Sequence, residues 1–476
     1  MTEPIIHLHN LSYTYEGQAK PALHNVNFSV YPGEWVTIVG PGGSGKSTLC
    51  ALLSGALQSW PRGTIAGVLW VDGKDWTHTT ALETSGRIGI VYPDPEFTLI
   101  QQIVEDELAF GPENLCVAPD EIETRIDEAL EAVRMSDARN KRTHQLSGGQ
   151  QQRIAVASVL TMKPSILVLD NAYGNLDQPS IERLTDTLLA MQRRGHTIVT
   201  TSSRLDSIVP VGRVILLEEG VIAAQEDARE AARKHKHTAE KIGVLPSCEP
   251  ADAITRISGH RCSAPVVSVN RLHYAYRSDD RPALYIEEMK LHKGSIVSIM
   301  GPNGSGKTTF GKLIAGLLSP PQGTLFVKER DLVEVPMHER LQLIGYVFQK
   351  PEHQFVADTV WEECFFGLPP QERRLKEQWL ERFGLLSYKE DTPHQLPIAQ
   401  KRLLNVASAT IRQPDILLLD EPTAGLDYRA ANSIMKHCAD YAKQGNLVIM
   451  MTHDEAMANQ WSDEKIVFRR PALNSD

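Results

Sequence analysis

Residues Gly40–Ser47 read GPGGSGKS, and 261 positions later Gly301–Thr308 read GPNGSGKT. Both fit GxxxxGK[ST], and each follows an apolar strand-like run ("EWVTIV", "SIVSIM") and leads into a helical stretch. In that setting glycines let the chain fold back so that successive backbone N–H groups point at phosphate oxygens, at the positive end of a helix. Lys46 and Lys307 are placed to reach the outer phosphates, and Ser47 and Thr308 to offer a hydroxyl to magnesium. Gly42, Gly43, Ser44, Gly45 and Thr48 complete the first expected nucleotide cradle; Asn303, Gly304, Ser305, Gly306 and Thr309 complete the second. A glycine-rich turn accounts for one such match, but not for two in matching contexts.

Outward from the loops the repeat continues with a shrinking offset. Gly40 pairs with Gly301, Pro93 with Gln349 and Asp170 with Asp420, at offsets of 261, 256 and 250. The chain is therefore two complete copies of one domain. Residues 1–224 form the first, 267–476 the second, and 225–266 are read as a linker. Nine of the sixteen residues Glu226–Lys241 are charged, which fits a solvated helix or a flexible connection. His235 and His237 in that segment are poor metal-ligand candidates because it is so strongly charged. Within each copy short β-rich runs ("SILVLD", "HTIVTT", "RVILL") alternate with helical ones ("SIERLTDTLLAMQRRG"), the pattern of a mostly parallel sheet covered by helices. Asp170 and Asp420 each end such a strand, where a carboxylate can hold a magnesium shell.

Composition narrows the function classes. The 476 residues are 42% hydrophobic and carry a formal charge of −10, which disfavours a general nucleic-acid surface. No apolar run reaches the roughly 18–20 residues of a spanning helix, and the opening MTEPIIHLHN lacks the basic start and apolar core of a signal peptide. Membrane contact is thus expected through partners only. Six scattered cysteines without a CxxC pair suggest reduced thiols rather than disulfides or zinc ligands.

Between the first phosphate loop and its strand-end aspartate stands LSGGQ, Leu146–Gln150. With the two loops, it resembles the signature of ATP-binding-cassette ATPases, and the resemblance covers nearly the whole chain outside the linker. The implied fold is α/β: two tandem P-loop cassettes, each a mostly parallel sheet with helices plus a helical signature subdomain. The implied cofactors are ATP and Mg2+. In that family two cassettes meet head to tail, and each ATP lies between the phosphate loop of one and the signature of the other.

The resemblance assigns the two composite sites very differently. HQLSGGQQQRIAVASVLTMKPSILVLDNAYGNLD (His144–Asp177) aligns without a gap to HQLPIAQKRLLNVASATIRQPDILLLDEPTAGLD (His394–Asp427). On the second phosphate loop, Tyr276 matches the adenine-stacking aromatic, and Lys307, Thr308, Gln349, Asp420, Glu421 and His453 all match. Its signature partner, Ser147, Gly149 and Gln150, is intact. By resemblance Glu421 polarises the attacking water, His453 holds the γ-phosphate and that water in line, and Gln349 touches the metal and senses a membrane partner. The first site keeps Tyr15, Lys46, Ser47 and Asp170. It has Asn171 in place of the glutamate, Ser203 for the histidine, Pro93 for the glutamine and Pro397-Ile398-Ala399 as the opposing signature. An amide is no carboxylate base, serine is too short to replace imidazole, and proline lacks both a polar side chain and an N–H. Random decay would have spread such losses over both sites. One catalytic and one binding-only site is the expectation.

PEFTLIQQIVEDELAFGPEN (Pro95–Asn114) and PEHQFVADTVWEECFFGL (Pro351–Leu368) resemble the segment with which energy-coupling-factor ATPases grip the coupling helices of a transmembrane protein. The resemblance implies the fused ATPase of a vitamin or metal-ion importer, with a transmembrane coupling protein and a substrate-binding membrane subunit as partners, at the cytoplasmic face of the cell membrane. Among vitamins it leans toward a thiamine precursor. Tandem ATPases of sugar importers fit this segment less well. Soluble twin-cassette translation factors usually keep two working sites and a basic linker.

Overall fold

The computed structural model describes residues 3–59, 63–84, 86–174, 176–246, 264–276, 282–368 and 375–469. The chain divides into two compact units: Met1–Ser247 with Gly425–Arg429, and the remainder.

In the first unit six strands form one sheet in the order Val221–Asp227, Arg213–Glu218, Trp35–Val39, Thr197–Ser202, Ile166–Leu169, Ile88–Val91. All neighbours run parallel except the first two. Trp35–Val39 and Ile166–Leu169 are buried at every position, as expected of parallel strands covered on both faces. A smaller antiparallel sheet, Leu23–Val30, Ile6–Tyr15, Gly63–Val71 and Lys74–Asp75, packs beside it. Helices Val104–Asn114, Pro119–Ala132 and Gly148–Leu160 pack on one another as the helical subdomain.

The second unit repeats the plan. Its five parallel strands run in the order Ile344–Val347, Ile416–Asp420, Leu447–Thr452, Ser295–Met300, Glu464–Val467. Its antiparallel sheet is built from Leu284–Leu291, Val267–Tyr274, Leu325–Val327 and Arg330–Asp331. In both units the phosphate loop leaves the C-terminal end of a strand flanked on both sides, the place where open parallel sheets form ligand crevices.

One boundary moves. Residues 225–246 were expected in the linker, yet Val221–Asp227 is an edge strand and two short helices follow it, Ala228–Lys234 and Lys236–Ile242. Ala228, Ala231, Ala239, Ile242 and Val244 are buried against Val39, Leu205, Val214 and Leu216. The charged residues dominate the composition of this stretch, but a stripe of small apolar side chains docks it on the first unit. The rest of the expected linker, with Cys248 and Cys262, lies largely outside the described residues; Cys50, Cys116, Cys364 and Cys438 are free thiols. Among the described residues no helix is long and apolar enough to cross a membrane.

Candidate functional site

In the second unit the strand Ser295–Met300 delivers the chain into Gly301–Gly306. Gly306 sits at the helix start with φ 92°, and a Cβ there would come within 2.7 Å of the Ala283 carbonyl, so only glycine fits. Lys307 opens the helix Lys307–Ile314 with its side chain buried. Its Nζ donates to the carbonyls of Gly301 (2.6 Å) and Pro302 (3.3 Å) and lies 3.9 Å from Glu421 Oε1. Ser305 Oγ is buried with no hydrogen-bond partner, an arrangement that costs on the order of 1–3 kcal/mol unless something else supplies one. Asn303, Gly304, Gly306, Lys307, Thr308, Thr309, Gln349 and Glu421 line one pocket of about 120 Å3. Tyr276 is 56% exposed, leaving its ring available for stacking, and its hydroxyl is 3.0 Å from Thr309 Oγ1.

Two consecutive carboxylates close this pocket. Asp420 ends its strand; Oδ2 accepts from the Tyr346 hydroxyl at 3.3 Å, and Oδ1 is buried without a partner. Burial pushes this carboxyl up to about 6, with the Thr308 and Tyr346 hydroxyls partly offsetting the cost. Glu421 follows in the left-handed backbone region (φ 48°) with its N–H on the Met451 carbonyl. Oε1 meets His453 Nδ1 at 2.9 Å, while Oε2 accepts from Thr452 Oγ1 (3.1 Å) and the His453 N–H (3.4 Å). Burial lowers the proton affinity of His453, but the hydrogen bond and charge of Glu421 outweigh it and raise it. The carboxylate is thus buried, acceptor-only and fixed at both oxygens, which suits a group that orients and deprotonates water.

The first unit reproduces the frame and changes the contents. Gly45 opens the loop helix Lys46–Leu53 at φ 99°, and Lys46 Nζ donates to Gly40 O (2.6 Å), Pro41 O (2.8 Å) and also Ser44 Oγ (3.3 Å). Burial lowers the Lys46 ammonium to about 8, with the charge of Asp170 pulling it back. Tyr15 touches Thr48 as Tyr276 touches Thr309, hydroxyl to hydroxyl at 3.1 Å. Asn171 adopts the same left-handed turn as Glu421, at φ 45°. The backbone that would aim a carboxylate is intact, and the side chain is an amide. Ser203 is buried at the position of His453.

Magnesium takes hard oxygen ligands and is usually held by one or two carboxylates plus substrate phosphates. Thr308, Gln349 and the unpaired Asp420 Oδ1 fit such a set in the second unit; Ser47 and Asp170 fit it in the first.

The signature segment shows what each of its residues does locally. Ser147 caps the helix Gly148–Leu160: its Oγ accepts from Gln150 N at 3.4 Å, and Gln150 Oε1 accepts from Ser147 N at 2.9 Å. Gly149 is buried, and a Cβ there would lie 2.3 Å from Ser180 Oγ and 2.7 Å from Ser180 Cβ. Gly148, which sequence reasoning passed over, is the one open to approach, with nothing within 4 Å of a Cβ. Its aligned residue Ile398 is 42% exposed, and the helix Ile398–Thr410 has no side-chain cap at Pro397. A second residue missed is Arg402, buried near the carboxylates of Glu421, Glu352 and Asp420 and donating to the carbonyls of Glu421 (2.7 Å) and Ala424 (3.1 Å). A lone arginine in the apolar run "KRLLNVA" was its only signal.

The segments after residues 93 and 349 are built alike. Glu107 is buried and accepts from the N–H groups of Ile100 (2.8 Å) and Gln101 (2.7 Å); Glu363 does the same for Val356 (2.8 Å) and Ala357 (2.9 Å). Each clamp presents an apolar pair to solvent, Ile100 with Phe110 and Val356 with Phe366, between 40% and 68% exposed.

Fold and site together define an ATP-hydrolysing cassette doubled within one chain. The family model described as "ABC transporter" matches residues 23–174 and again 287–424, and the chain belongs to that family of transport-coupled ATPases. It is 30% identical over 503 residues to the "Putative HMP/thiamine import ATP-binding protein YkoD" of Bacillus subtilis, covering 100% of this chain and 91% of that one. It is 31% identical over 520 residues to a "Putative ABC transporter ATP-binding protein" of Methanosarcina mazei, covering 99% of this chain and 88% of that one. Among solved structures, the "RNase-L Inhibitor" covers 96% of this chain and 87% of its own with a TM-score of 0.65; at 20% identity the likeness is one of fold alone.

Proposed function

We propose that this chain is the energising ATPase of an energy-coupling-factor type importer, with one hydrolysing and one binding-only nucleotide site. The observation that carries the division is the contrast between Glu421 and Asn171. The same left-handed turn presents a carboxylate held by His453 and Thr452 in one unit, and an amide in the other.

In this reading Lys307 and the loop amides of Gly301–Thr309 hold the β- and γ-phosphates, Tyr276 stacks on adenine, and Ser147, Gly149 and Gln150 of the first copy cap the γ-phosphate from across. Thr308, Gln349 and Asp420 hold a magnesium ion, which when bound neutralises charge developing on the phosphates. Glu421 accepts the proton of the attacking water, and His453 fixes the carboxylate's rotamer and keeps the water in line. The first site, with Tyr15, the Gly40–Thr48 loop and Asp170, holds ATP and a metal ion without turning them over.

The chain reaches the membrane through partners. Ile100/Phe110 and Val356/Phe366 receive the coupling helices of a transmembrane protein, which works with a substrate-binding membrane subunit at the cytoplasmic face. The similarity to the putative HMP/thiamine import protein of Bacillus subtilis supports a thiamine precursor as cargo.

The test is Glu421→Gln in the full chain with its membrane partners. Hydrolysis falls at least ~100-fold while ATP binding persists, because the base is lost and the phosphate grip is not. Near-normal turnover would reassign the working site.

A further inference from the structure

The strand-end aspartates of the two units are held by different residues. In the first unit Thr201, on the neighbouring strand Thr197–Ser202 and 1% exposed, makes two hydrogen bonds. Its Oγ1 accepts from the Asn171 N–H at 2.8 Å and lies 2.6 Å from Asp170 Oδ1. A threonine hydroxyl has one proton, and with the Asn171 N–H as a donor to it, that proton goes to Asp170. One side chain thereby fixes both the carboxylate and the backbone turn that follows. The aligned residue in the second unit is Met451, which has no hydroxyl; the Glu421 N–H goes to its carbonyl, and Asp420 Oδ1 is left buried and unpaired.

We propose that Thr201 is a positioning residue that preorganises Asp170 as a metal-shell carboxylate, so that the first site grips metal-nucleotide more firmly than the second. The proposal rests on the reading of the first site as binding-only and gives that site a positive device for its task. Partners behind a metal-holding group set its orientation, and their loss typically lowers metal affinity by about 10- to 100-fold. In the second site the Tyr346 hydroxyl holds Asp420 at Oδ2, and no side chain of the neighbouring strand donates to Oδ1.

The experiment uses the full chain loaded with a non-hydrolysable ATP analogue and titrated with Mn2+, read by electron paramagnetic resonance. Because no turnover is involved, its outcome is independent of which residue is the base. Lys46→Ala removes one class of bound Mn2+ and so identifies the first site. The expected result is that this class is the tighter of the two, and that Thr201→Val weakens it about tenfold while leaving the other class unchanged. Thr201→Ser, which keeps the hydroxyl, retains the tight class. The proposal is overturned if Thr201→Val, melting like the parent chain, leaves the first-site Mn2+ affinity unchanged or tighter, or if Thr201→Ser loosens it as much as valine does. It is equally overturned if the first-site class is the weaker one in the parent chain.

Discussion

The two phosphate-loop regions share nearly every backbone feature and differ in what the backbone presents. Gly45 and Gly306 make the same left-handed helix start, Tyr15 and Tyr276 the same contact with a threonine, and Asn171 and Glu421 the same strained turn. A non-glycine residue held at positive φ costs on the order of 1 kcal/mol, and the first unit retains that conformation without the carboxylate that it would aim in hydrolysis. Asparagine is among the residues that tolerate it best. On the proposed reading, the scaffold of a hydrolytic site is kept for holding nucleotide, and Asn171 and Ser203 take away the groups that would act on water.

The comparison can be broken most severely at the signatures. If the working site joins the second loop to the first signature, Ser147→Arg lowers hydrolysis by ~100-fold or more, since a bulky cation displaces the groups that cap the γ-phosphate. Ala399→Arg, at the aligned half-buried position, faces a site without a base and leaves most of the activity. Equal loss in two folded, nucleotide-binding variants contradicts the assignment. Next in size is the histidine. His453→Ala frees Oε1 of Glu421 from its partner at 2.9 Å and is expected to cost up to ~100-fold in kcat, the scale of a misplaced reacting group. Ser203→Ala is expected to be close to neutral, and steady-state assays of the pair measure the difference.

A smaller effect tests what the two units share. Ile100→Glu and Val356→Glu each put a charge where an apolar side chain is exposed, and each weakens retention of the membrane partner by about tenfold, the loss of one buried large apolar side chain. Pull-down of the transmembrane subunit reads both. An effect in only one variant would make docking as unequal as hydrolysis. Smallest is a packing change. Gly149→Ala forces a Cβ onto Ser180 and destabilises the first unit by roughly 1–3 kcal/mol. The second copy carries alanine at both aligned positions, Ala399 and Ala430. Adding Ser180→Ala removes the Oγ contact at 2.3 Å but keeps the Cβ at 2.7 Å, so it recovers part of the loss, seen as a coupling in a denaturation double-mutant cycle.

The phosphate loops, the strand-end aspartates and the repeat were legible because their spacing is set by short-range backbone requirements. Glu421 and His453 were legible as residues of a pattern, and the structure brings them to 2.9 Å although they are 32 positions apart. What the sequence hid was of two kinds. The docking of 225–246 depends on Ala228, Ala231 and Ala239, too small to register against nine charges. The roles of Arg402, Thr201 and Gly149 depend on which neighbour a strand or helix brings near, and no local pattern encodes a hydrogen bond to a carbonyl 19 residues ahead. Gly149 was read as a nucleotide contact, and its glycine requirement within the first unit comes from Ser180.

The most direct test of unequal sites counts nucleotides. The full chain with its membrane partners is loaded with ATP, stopped after a single closing event, and the nucleotide retained per chain is separated and quantified. Two bound nucleotides per chain, one as ADP and one as intact ATP, is the predicted result, with the intact ATP lost from the retained pool in Lys46→Ala. Two ADP per chain, formed at equal rates, would contradict the division of labour between Glu421 and Asn171.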